Sequence, residues 1–360
     1  MVTELNRQTS TPGAAGVPGR ATATVLLCSA GRRPYLVRWF REALERNGVA
    51  GRVVVADADP YAPAAASADR FIRSPRISEP GYEHWLRAVV VEHEVDLALS
   101  INDFELSLWS ELEPVPPALL VLGRDEQRIV EDKWAMASAA AAVGIDVPAT
   151  WLGSALLSGE AQGEGERFVV KSRFGSGSAG LRFAEARDLR DAVAAAAAEV
   201  LDRRGQRVLE GDDPAAQIVV QQRIDGVEYG VDVLGDFERR YAGCLARRKL
   251  AMRHGETERA VSAEAEPFGA LTRQLASLTR HRGVIDSDVI LDPTGRAWLI
   301  DVNPRFGGGY PFSHLAGADA PSAIVAWALG LPVDAGWLRS RPGVVSAKAV
   351  DVVRSEAAAT

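Results

Sequence analysis

The chain has 360 residues, of which 47% are hydrophobic and 25% charged, and its formal net charge is -7. This length is too great for one ordinary hydrophobic core and predicts two or three packed units. The negative charge and the lack of a long basic run argue against nucleic acid as the main partner. No apolar stretch approaches the roughly 18 to 20 residues that span a bilayer, which argues against a membrane protein.

The N-terminal segment, residues 1–22, predicts a disordered leader. It is rich in Thr, Pro, Gly and Ala and lacks the apolar run of a secretory signal. Cys28 and Cys244 are the only two cysteines and lie far apart in the sequence. They are typical of small buried hydrophobic residues in a reducing compartment, so we expect the protein in the cytoplasm.

Residues 23–122 predict a doubly wound parallel sheet. The runs Thr24–Cys28, Arg52–Asp57 and Val95–Ser100 are apolar enough for buried strands. Helical patterns follow the first run, span Tyr82–Glu92 and begin again after Phe104. Strands that alternate with helices favour a parallel sheet with helices on its faces.

Residues 123–335 mix helices with antiparallel strands. A helical region from Asp125 to about Val143 comes first, then a hairpin and an alanine-rich helix at roughly Ala186–Arg204. The runs AQIVVQQRI, VEYGVDVLG and ERRYAGCLARRKL predict three more strands, and Phe268–Arg282 a helix. VIDSDVILD and RAWLIDVNP form a last strand pair, separated by the turn PTG. Residues 336–360 are a C-terminal segment.

The last of these strands runs into the motif LIDVNPRFGGGY. Because alternate residues of a strand face the same side, Asp301 and Asn303 should point together. Carboxylate and amide oxygens suit Mg²⁺, which takes few protein ligands and completes its shell with water and phosphate oxygens. A strand end followed by a plain turn would explain the same residues without any ligand.

Asp288 and Asp301 lie at comparable distances from the PTG turn on opposite arms of the predicted hairpin. Cross-strand neighbours on one face come close enough to share a cation, and two such carboxylates would otherwise repel each other. Asp286 shares the face of Asp288, so the sequence leaves open which of the two is the first metal ligand.

A lysine and a glycine-rich turn form the second candidate site. Lys171 ends an apolar strand and is followed by FGSGSAG, whose backbone amides are free to approach an anion. The spacing is not that of a P-loop, so the turn would act as a flap over phosphates. Lys133 and Glu228 would each be read alone as surface residues.

In this order, Lys133, VVKSRFGSGSAG, VVQQRIDGVEYGVDV and DSDVILDPTGRAWLIDVNPRFGGGY resemble the ATP-grasp superfamily, most closely its carbamoyl-phosphate-synthase-like carboxylate-amine ligases. SAGRRPYLVRWFREAL resembles the first strand and helix of the domain that precedes this fold, so the resemblance covers about Val25 to Gly330. The resemblance implies a pre-ATP-grasp domain of the Rossmann-like kind, followed by a two-lobed ATP-grasp domain. The small lobe would span about 150–225 and the large lobe about 226–335.

The resemblance also implies roles for single residues. Lys133 and Lys171 would hold ATP phosphates under the loop that contains Gly175, Ser176 and Gly177. The backbone of Gln222, Arg223 and Ile224 would contact the adenine, and Glu228 the ribose. Asp288, Asp301 and Asn303 would bind Mg²⁺, with Mn²⁺ as an alternative, and Arg305 would face the reacting carboxylate. Many relatives carry glutamate where Asp301 stands, which leaves the metal geometry open.

Further residues are candidates for the substrate site or for added charge. Arg32 and Arg33 open the first helix and could bind a substrate carboxylate, hold the domain interface or be solvated surface residues. Asp103 and Glu105 could contact an ammonium group or cap the next helix. Gly308 belongs to the loop that would shape the substrate site, and His314 follows it as a substrate contact or a structural histidine. Arg248 and Lys249 could add positive charge near the phosphates.

The implied reaction joins a small-molecule carboxylate to an amine through an acyl phosphate, with ATP as the phosphoryl donor. A kinase that leaves a stable phosphorylated product would use the same nucleotide residues. A regulator that binds nucleotide without turnover has no need of the full metal set. Hydride transfer is disfavoured because the first turn, SAGRRP, lacks the G-x-G-x-x-G order. The resemblance also allows a homodimer, and the substrates cannot be identified from the sequence.

Overall fold

The computed structural model describes residues 22–175, 181–199, 213–253 and 255–354. The predicted leader therefore lies outside the described residues, apart from Thr22. Within the described ranges, no helix combines the length and the apolar character needed to cross a bilayer.

The first part of the chain forms the predicted parallel sheet. Its strands are β1 (Thr22–Cys28), β2 (Ala50–Asp57), β3 (Arg70–Arg73) and β4 (Leu97–Ser100), in the order β3-β2-β1-β4. Its helices are α1 (Pro34–Arg46), α2 (Tyr82–Glu92) and α3 (Asp103–Ser110). All of the strand pairs are parallel, which confirms the predicted architecture. Strand β3 was not predicted, since this four-residue edge strand is only half buried and shows no apolar run.

Two helices, α4 (Arg124–Glu131) and α5 (Lys133–Ala142), replace the single helical region that the sequence predicts. The break falls at Asp132, which has extended backbone angles and accepts hydrogen bonds from the amides of Trp134 and Ala135. A side chain that caps a helix in this way satisfies donors that the first turn leaves free. The cap places Lys133 in the first turn of α5.

A small antiparallel sheet follows. Its strands are β5 (Thr150–Leu152), β6 (Arg167–Ser172), β7 (Arg182–Glu185) and β8 (Ile218–Gln222), in the order β5-β8-β6-β7. Its helices are α6 (Gly153–Ser158) and α7 (Leu189–Ala197). The predicted hairpin is confirmed as the pair β6 and β7, with Phe168 opposite Ala184. The predicted alanine-rich helix begins later than expected, at Leu189, and its predicted end lies outside the described residues.

A larger antiparallel sheet forms the last part of the fold. Its strands are β9 (Val227–Gly235), β10 (Tyr241–Arg253), β11 (Glu256–Ala263), β12 (Gly283–Leu291), β13 (Ala297–Asn303) and β14 (Val345–Ala347), in the order β13-β12-β9-β10-β11-β14. Its helices are α8 (Gly269–Thr279), α9 (Tyr310–Leu315) and α10 (Ala320–Ala328). The strand pair around the PTG turn is confirmed as β12 and β13. Strands β11 and β14 were not predicted.

The parallel sheet and the large antiparallel sheet share one hydrophobic core. Leu27 and Val55 of the parallel sheet belong to the same buried cluster as Leu234, Val284 and Phe306. Burial of apolar surface across such a boundary holds the two parts in a defined relation. The segment after β13, which contains Phe306, is therefore packed against the N-terminal domain.

His281, between α8 and β12, provides a pH-dependent element of this fold. Its ring nitrogens are 2.8 Å from Thr279 Oγ1 and 3.0 Å from the carbonyl oxygen of Val233. Burial lowers the pKa of His281 from 6.5 to about 4. The unfolded chain therefore binds the extra proton first as the pH falls, so stability is complete above pH 6.5 and is lost toward pH 4.

We expect His281→Gln to remove this pH dependence. At about 1.4 kcal/mol per pKa unit, the wild type should lose about 3 kcal/mol of its free energy of unfolding over this interval relative to the variant. Urea unfolding of both proteins across the acidic range measures the difference. His84→Gln, at an exposed position of α2, is the control and should follow the wild type. Parallel pH curves for wild type and His281→Gln would contradict the prediction.

Candidate active site

The β12–β13 hairpin places four oxygen-bearing side chains on one face. Asp288 lies opposite Asp301, and Asp286 lies opposite Asn303. Residues in register on adjacent antiparallel strands project from the same side of the sheet, so the four form a compact cluster. The two aspartates that the sequence analysis places together are thus cross-strand neighbours.

Asp286 and Asp288 are paired with different basic residues. Asp286 accepts a hydrogen bond of 2.7 Å from Arg247 Nη2, and a Cβ atom at Gly307 would lie 2.1 Å from its Cγ. Asp288 instead pairs at 2.6 Å with Lys249 Nζ and faces Asp301. Burial raises the pKa of Asp288 to about 6, and although Lys249 opposes this shift, Asp286 adds to it.

These donors fit Mg²⁺ in kind and number. Two carboxylates and the amide of Asn303 are hard oxygen ligands, and Mg²⁺ usually keeps several positions for water and phosphate. In the described ranges, no three His, Cys, Asp or Glu side chains are close enough to bind one metal ion. The donor set therefore suits a metal held partly by a ligand's phosphates, as opposed to a closed protein cage.

Two lysines, one on β6 and one on α5, lie next to this face of the β12–β13 hairpin. Lys171, at the end of β6, is buried and its Nζ donates a hydrogen bond of 3.1 Å to the carbonyl oxygen of Ile300. Lys133, at the start of α5, lies 3.6 Å from Asp301 Oδ1 and donates a hydrogen bond of 2.5 Å to Gly175 O. Burial lowers the pKa of Lys171. Lys133 would be read as a surface residue by itself, yet the structure brings it to the aspartates.

Strand β10 supplies a third lysine and a buried arginine. Lys249 Nζ lies 2.6 Å from Glu228 Oε1 and 2.6 Å from Asp288 Oδ1. Arg247 is 1% exposed and pairs with Asp232 at 2.5 Å and with Asp286 at 2.7 Å. Arg248 is exposed, because alternate residues of the strand face opposite sides. It therefore does not supply the positive charge that the sequence predicts for it at this site. Arg247 and Asp232 were missed, and the alternation around Lys249 is the signal that could have found the arginine.

The segment predicted to contact adenine joins the two antiparallel sheets. Gln222 ends β8, Arg223 stacks its guanidinium 5.0 Å from the Phe183 ring centroid, and Ile224 precedes the turn into β9. Glu228, predicted to contact the ribose, opens β9 and is paired with Lys249. A cleft beside this segment is lined by residues of α4, α5, β8 and β13. These include Val130, Lys133, Met136, Gln221, Ile300 and Asp301.

The glycine-rich turn begins at Gly175, whose φ angle of +82° is one that side chains rarely adopt. A Cβ atom there would lie 3.6 Å from the ring of Phe104, which belongs to α3 of the N-terminal domain. Ser176 and Gly177, predicted to contact phosphate, lie outside the described residues.

Arg305 is held by an aspartate of the N-terminal domain. Its Nε and Nη2 donate hydrogen bonds of 2.9 and 2.8 Å to the two carboxylate oxygens of Asp103. A bidentate pair of this kind fixes the plane of the guanidinium. The same arginine donates a hydrogen bond of 3.4 Å to Asn303 Oδ1. This bond connects it to the face of the β12–β13 hairpin that carries Asp288 and Asp301. Asp103 therefore orients Arg305, whereas the sequence analysis predicts an ammonium contact or a helix cap; Asn102 caps α3 instead.

Other predicted substrate contacts differ in position. Arg33 donates a hydrogen bond of 2.7 Å to the carbonyl oxygen of Phe306 and so reaches the loop after β13, while Arg32 is exposed beside it. Glu105 is buried within the N-terminal domain and accepts hydrogen bonds from Tyr82 and Ser100, so the predicted substrate contact is wrong for this residue. Burial raises its pKa.

His314 has structural partners. Its ring stacks on Trp39 of α1 with 3.9 Å between ring centroids, and its Nδ1 lies 3.1 Å from the hydroxyl of Tyr310. Burial lowers its pKa to about 4, so the ring is neutral at physiological pH. Of the two alternatives, the geometry favours a structural histidine at the boundary between α1 and α9.

The glycines of the motif PRFGGG allow the loop to lie directly on the buried charges. A Cβ atom at Gly309 would lie 2.3 Å from Arg247 Nε, and one at Gly307 would overlap Asp286. Side chains at either position would therefore displace the ion pair. The loop therefore lies directly over Arg247 and connects Arg305 to α9.

The chain matches two protein-family models. The model "PylC-like, N-terminal domain" matches residues 25–114, and the model "ATP-grasp domain" matches residues 130–309. The second match spans half of the chain, and the chain belongs to the ATP-grasp family. No curated protein sequence matches the chain.

Several solved structures share the fold. Biotin carboxylase from Campylobacter jejuni is 16% identical, with a TM-score of 0.67 over 88% of this chain and 73% of that one. N5-carboxyaminoimidazole synthetase from Staphylococcus aureus is 14% identical, with a TM-score of 0.64 over 88% and 79%. L-amino acid ligase from Bacillus licheniformis is 16% identical, with a TM-score of 0.64 over 89% and 78%. At these identities the likeness concerns the fold, a parallel-sheet domain followed by a two-lobed ATP-grasp domain.

Proposed function

We propose that the protein is an ATP-dependent ligase that joins a small-molecule carboxylate to an amine, with release of ADP and phosphate. The observation that carries this proposal is the convergence of Lys133 and Lys171 on Asp288 and Asp301 across one cleft, with Arg305 beside Asn303. The similar structures include a synthetase and a ligase, which favours a ligase over a kinase.

The basic and acidic residues of the site would contact different parts of ATP and its metal ion. Lys133 and Lys171 would oppose the negative charge of the phosphates, under the loop that begins at Gly175. The segment from Gln222 to Ile224 would contact the adenine and Glu228 the ribose. Asp288, Asp301 and Asn303 would hold Mg²⁺, with Mn²⁺ as an alternative, and the bound ion would neutralise phosphate charge.

A carboxylate is a poor electrophile, and phosphorylation provides it with a leaving group. A carboxylate oxygen of the substrate attacks the γ-phosphorus, and ADP leaves. The amine then attacks the carbonyl carbon of the acyl phosphate, and phosphate leaves. In both steps the chain supplies placement and charge, since Arg305 can stabilise the oxyanion that develops on the carbonyl oxygen. No side-chain nucleophile takes part.

The reaction can be tested by measuring ADP and phosphate release from ATP in the presence of Mg²⁺. The panel should contain amino acids and other carboxylates, each with and without amine partners, and mass spectrometry should identify the product. We expect release that requires a carboxylate and yields an amide, and Asp301→Ala should lower the rate by at least about a hundredfold. An unchanged melting temperature would separate this loss from unfolding.

Two outcomes would contradict the proposal. Phosphate retained on a stable product would identify a kinase, and nucleotide binding without turnover on any substrate would identify a regulator. The cytoplasmic location and the homodimer remain predictions of the sequence.

A further inference from the structure

Glu256 borders the loop that follows Arg305. This residue opens β11, and both of its carboxylate oxygens lie within 3.5 Å of the position that a Cβ atom at Gly308 would occupy. Gly308 belongs to the same short loop as Arg305 and as Phe306, whose carbonyl oxygen accepts a hydrogen bond from Arg33. A carboxylate at this point faces the region where, in the proposed reaction, the substrate would lie beside Arg305.

Positive groups surround this carboxylate. Partial burial alone would raise the pKa of Glu256, but the hydrogen bond from Lys348 and the positive charges of Lys348, Arg33 and Arg305 outweigh it, so the pKa is lowered. Glu256 is therefore ionised at neutral pH. Arg33, which donates to the carbonyl oxygen of Phe306, and Arg305, which is paired with Asp103, are the arginines near Glu256. A guanidinium can also bind a carboxylate of the substrate.

Lys348 reaches Glu256 from the C-terminal segment beyond β14. Its Nζ lies 2.5 Å from Glu256 Oε2, and its amide donates a hydrogen bond of 2.8 Å to the carbonyl oxygen of Glu258. The Glu256 side chain is 58% exposed and that of Lys348 is 24% exposed. Ion pairs as open to solvent as this one are weak, so another ammonium group can replace Lys348.

We propose that Glu256 binds the ammonium group of an amino acid substrate, and that Lys348 competes with this ammonium for the same carboxylate. The substrate class rests on the proposed ligase function. In that reaction, the ammonium group of the amino acid would bind Glu256 and its carboxylate would bind Arg305 or Arg33. Glu256 thus takes the ammonium contact that the sequence analysis assigns to Asp103, which the structure commits to Arg305.

Substitutions at the two residues of the pair should act in opposite directions. Glu256→Gln removes the charge and should weaken amino acid binding about two- to fivefold, the range of a solvent-exposed ion pair. Lys348→Met removes the competitor and should strengthen the same binding about two- to fivefold. Lys348→Arg keeps a competing cation and should stay near the wild type. If the pair were only structural, Glu256→Gln and Lys348→Met would change the affinity for the amino acid in the same direction.

Calorimetric titration in the presence of MgADP measures these effects without turnover. The probes are L- and D-amino acids, each paired with the carboxylate that lacks its amino group, such as alanine with propionate. We expect Glu256→Gln to lose affinity for the amino acid and to keep its affinity for the matched carboxylate. Glu258→Gln, two positions along the same strand, is the control and should bind both as the wild type does.

The inference and the proposed function can fail separately. Equal loss of affinity for the amino acid and its matched carboxylate would overturn the ammonium site, as would a wild type that binds carboxylates but no amino acid. In either case, ADP release with some other carboxylate and amine would leave the ligase intact. If amino acids bind through Glu256 but a stable phosphorylated product forms, the ammonium site stands and the ligase reaction does not.

Discussion

Replacing Arg305 with alanine is expected to lower kcat about 10²- to 10³-fold while the KM for ATP changes little. The guanidinium lies beside Asn303 and is fixed by two hydrogen bonds to Asp103, so it is oriented before any substrate binds. A fixed positive charge stabilises a developing oxyanion without the cost of reorienting a dipole during the reaction. Steady-state kinetics, with the substrates identified by ADP release, measure the effect.

Two further variants separate the charge from its orientation. Arg305→Lys keeps the charge but cannot form the bidentate pair with Asp103, so we expect it to restore only a small part of kcat. Asp103→Asn keeps Arg305 but removes its charged partner, and we expect an intermediate loss in kcat. Full activity of Arg305→Ala at an unchanged melting temperature would rule out the proposed contact with the oxyanion.

Replacing Arg247 with methionine is expected to lower the free energy of unfolding by about 3 to 5 kcal/mol. The substitution leaves Asp232, which is fully buried, and Asp286 without their shared positive partner. A buried carboxylate without a counter-ion must be protonated or exposed, and each change costs stability. Urea unfolding followed by circular dichroism measures the loss.

The neighbouring residue offers a matched control. Arg248 lies on the same strand but faces solvent on the opposite side of the sheet, so Arg248→Met should change stability by no more than about 0.5 kcal/mol. Equal effects of the two substitutions would show that the buried pair does not stabilise the domain. Partial rescue of Arg247→Met by a second change, Asp232→Asn, would assign the loss to the uncompensated charge.

Local patterns carried much of the fold. Apolar runs and their spacing predicted the parallel sheet, and the PTG turn predicted the β12–β13 hairpin. Since strand periodicity also fixes which side chains share a face, the juxtaposition of Asp288 with Asp301 could be predicted by counting from the turn. The strands that were missed, β3, β5, β11 and β14, are short or rich in charged and small residues.

Contacts between distant parts of the chain could not be predicted in this way. Asp103 and Arg305 are 202 positions apart, and no local pattern shows that they meet. The different partners of Asp286 and Asp288, Arg247 and Lys249, could not be predicted either, because sequence reasoning did not single out Arg247. The position of Lys133 could not be predicted from local patterns either, because the packing of α5 against β13 is what places this helix lysine next to Asp301.

The close fit of Gly230 and Gly309 around Arg247, and of Gly307 against Asp286, also constrains how the protein can change. A Cβ atom at Gly230 would lie 2.9 Å from the guanidinium of Arg247, and one at Gly309 would lie closer still. Any side chain at these positions requires a smaller residue in place of Arg247, which in turn removes the partner of Asp232 and Asp286. Positions 230, 232, 247, 286, 307 and 309 should therefore covary among related chains, and a single change at one of them should rarely be tolerated alone.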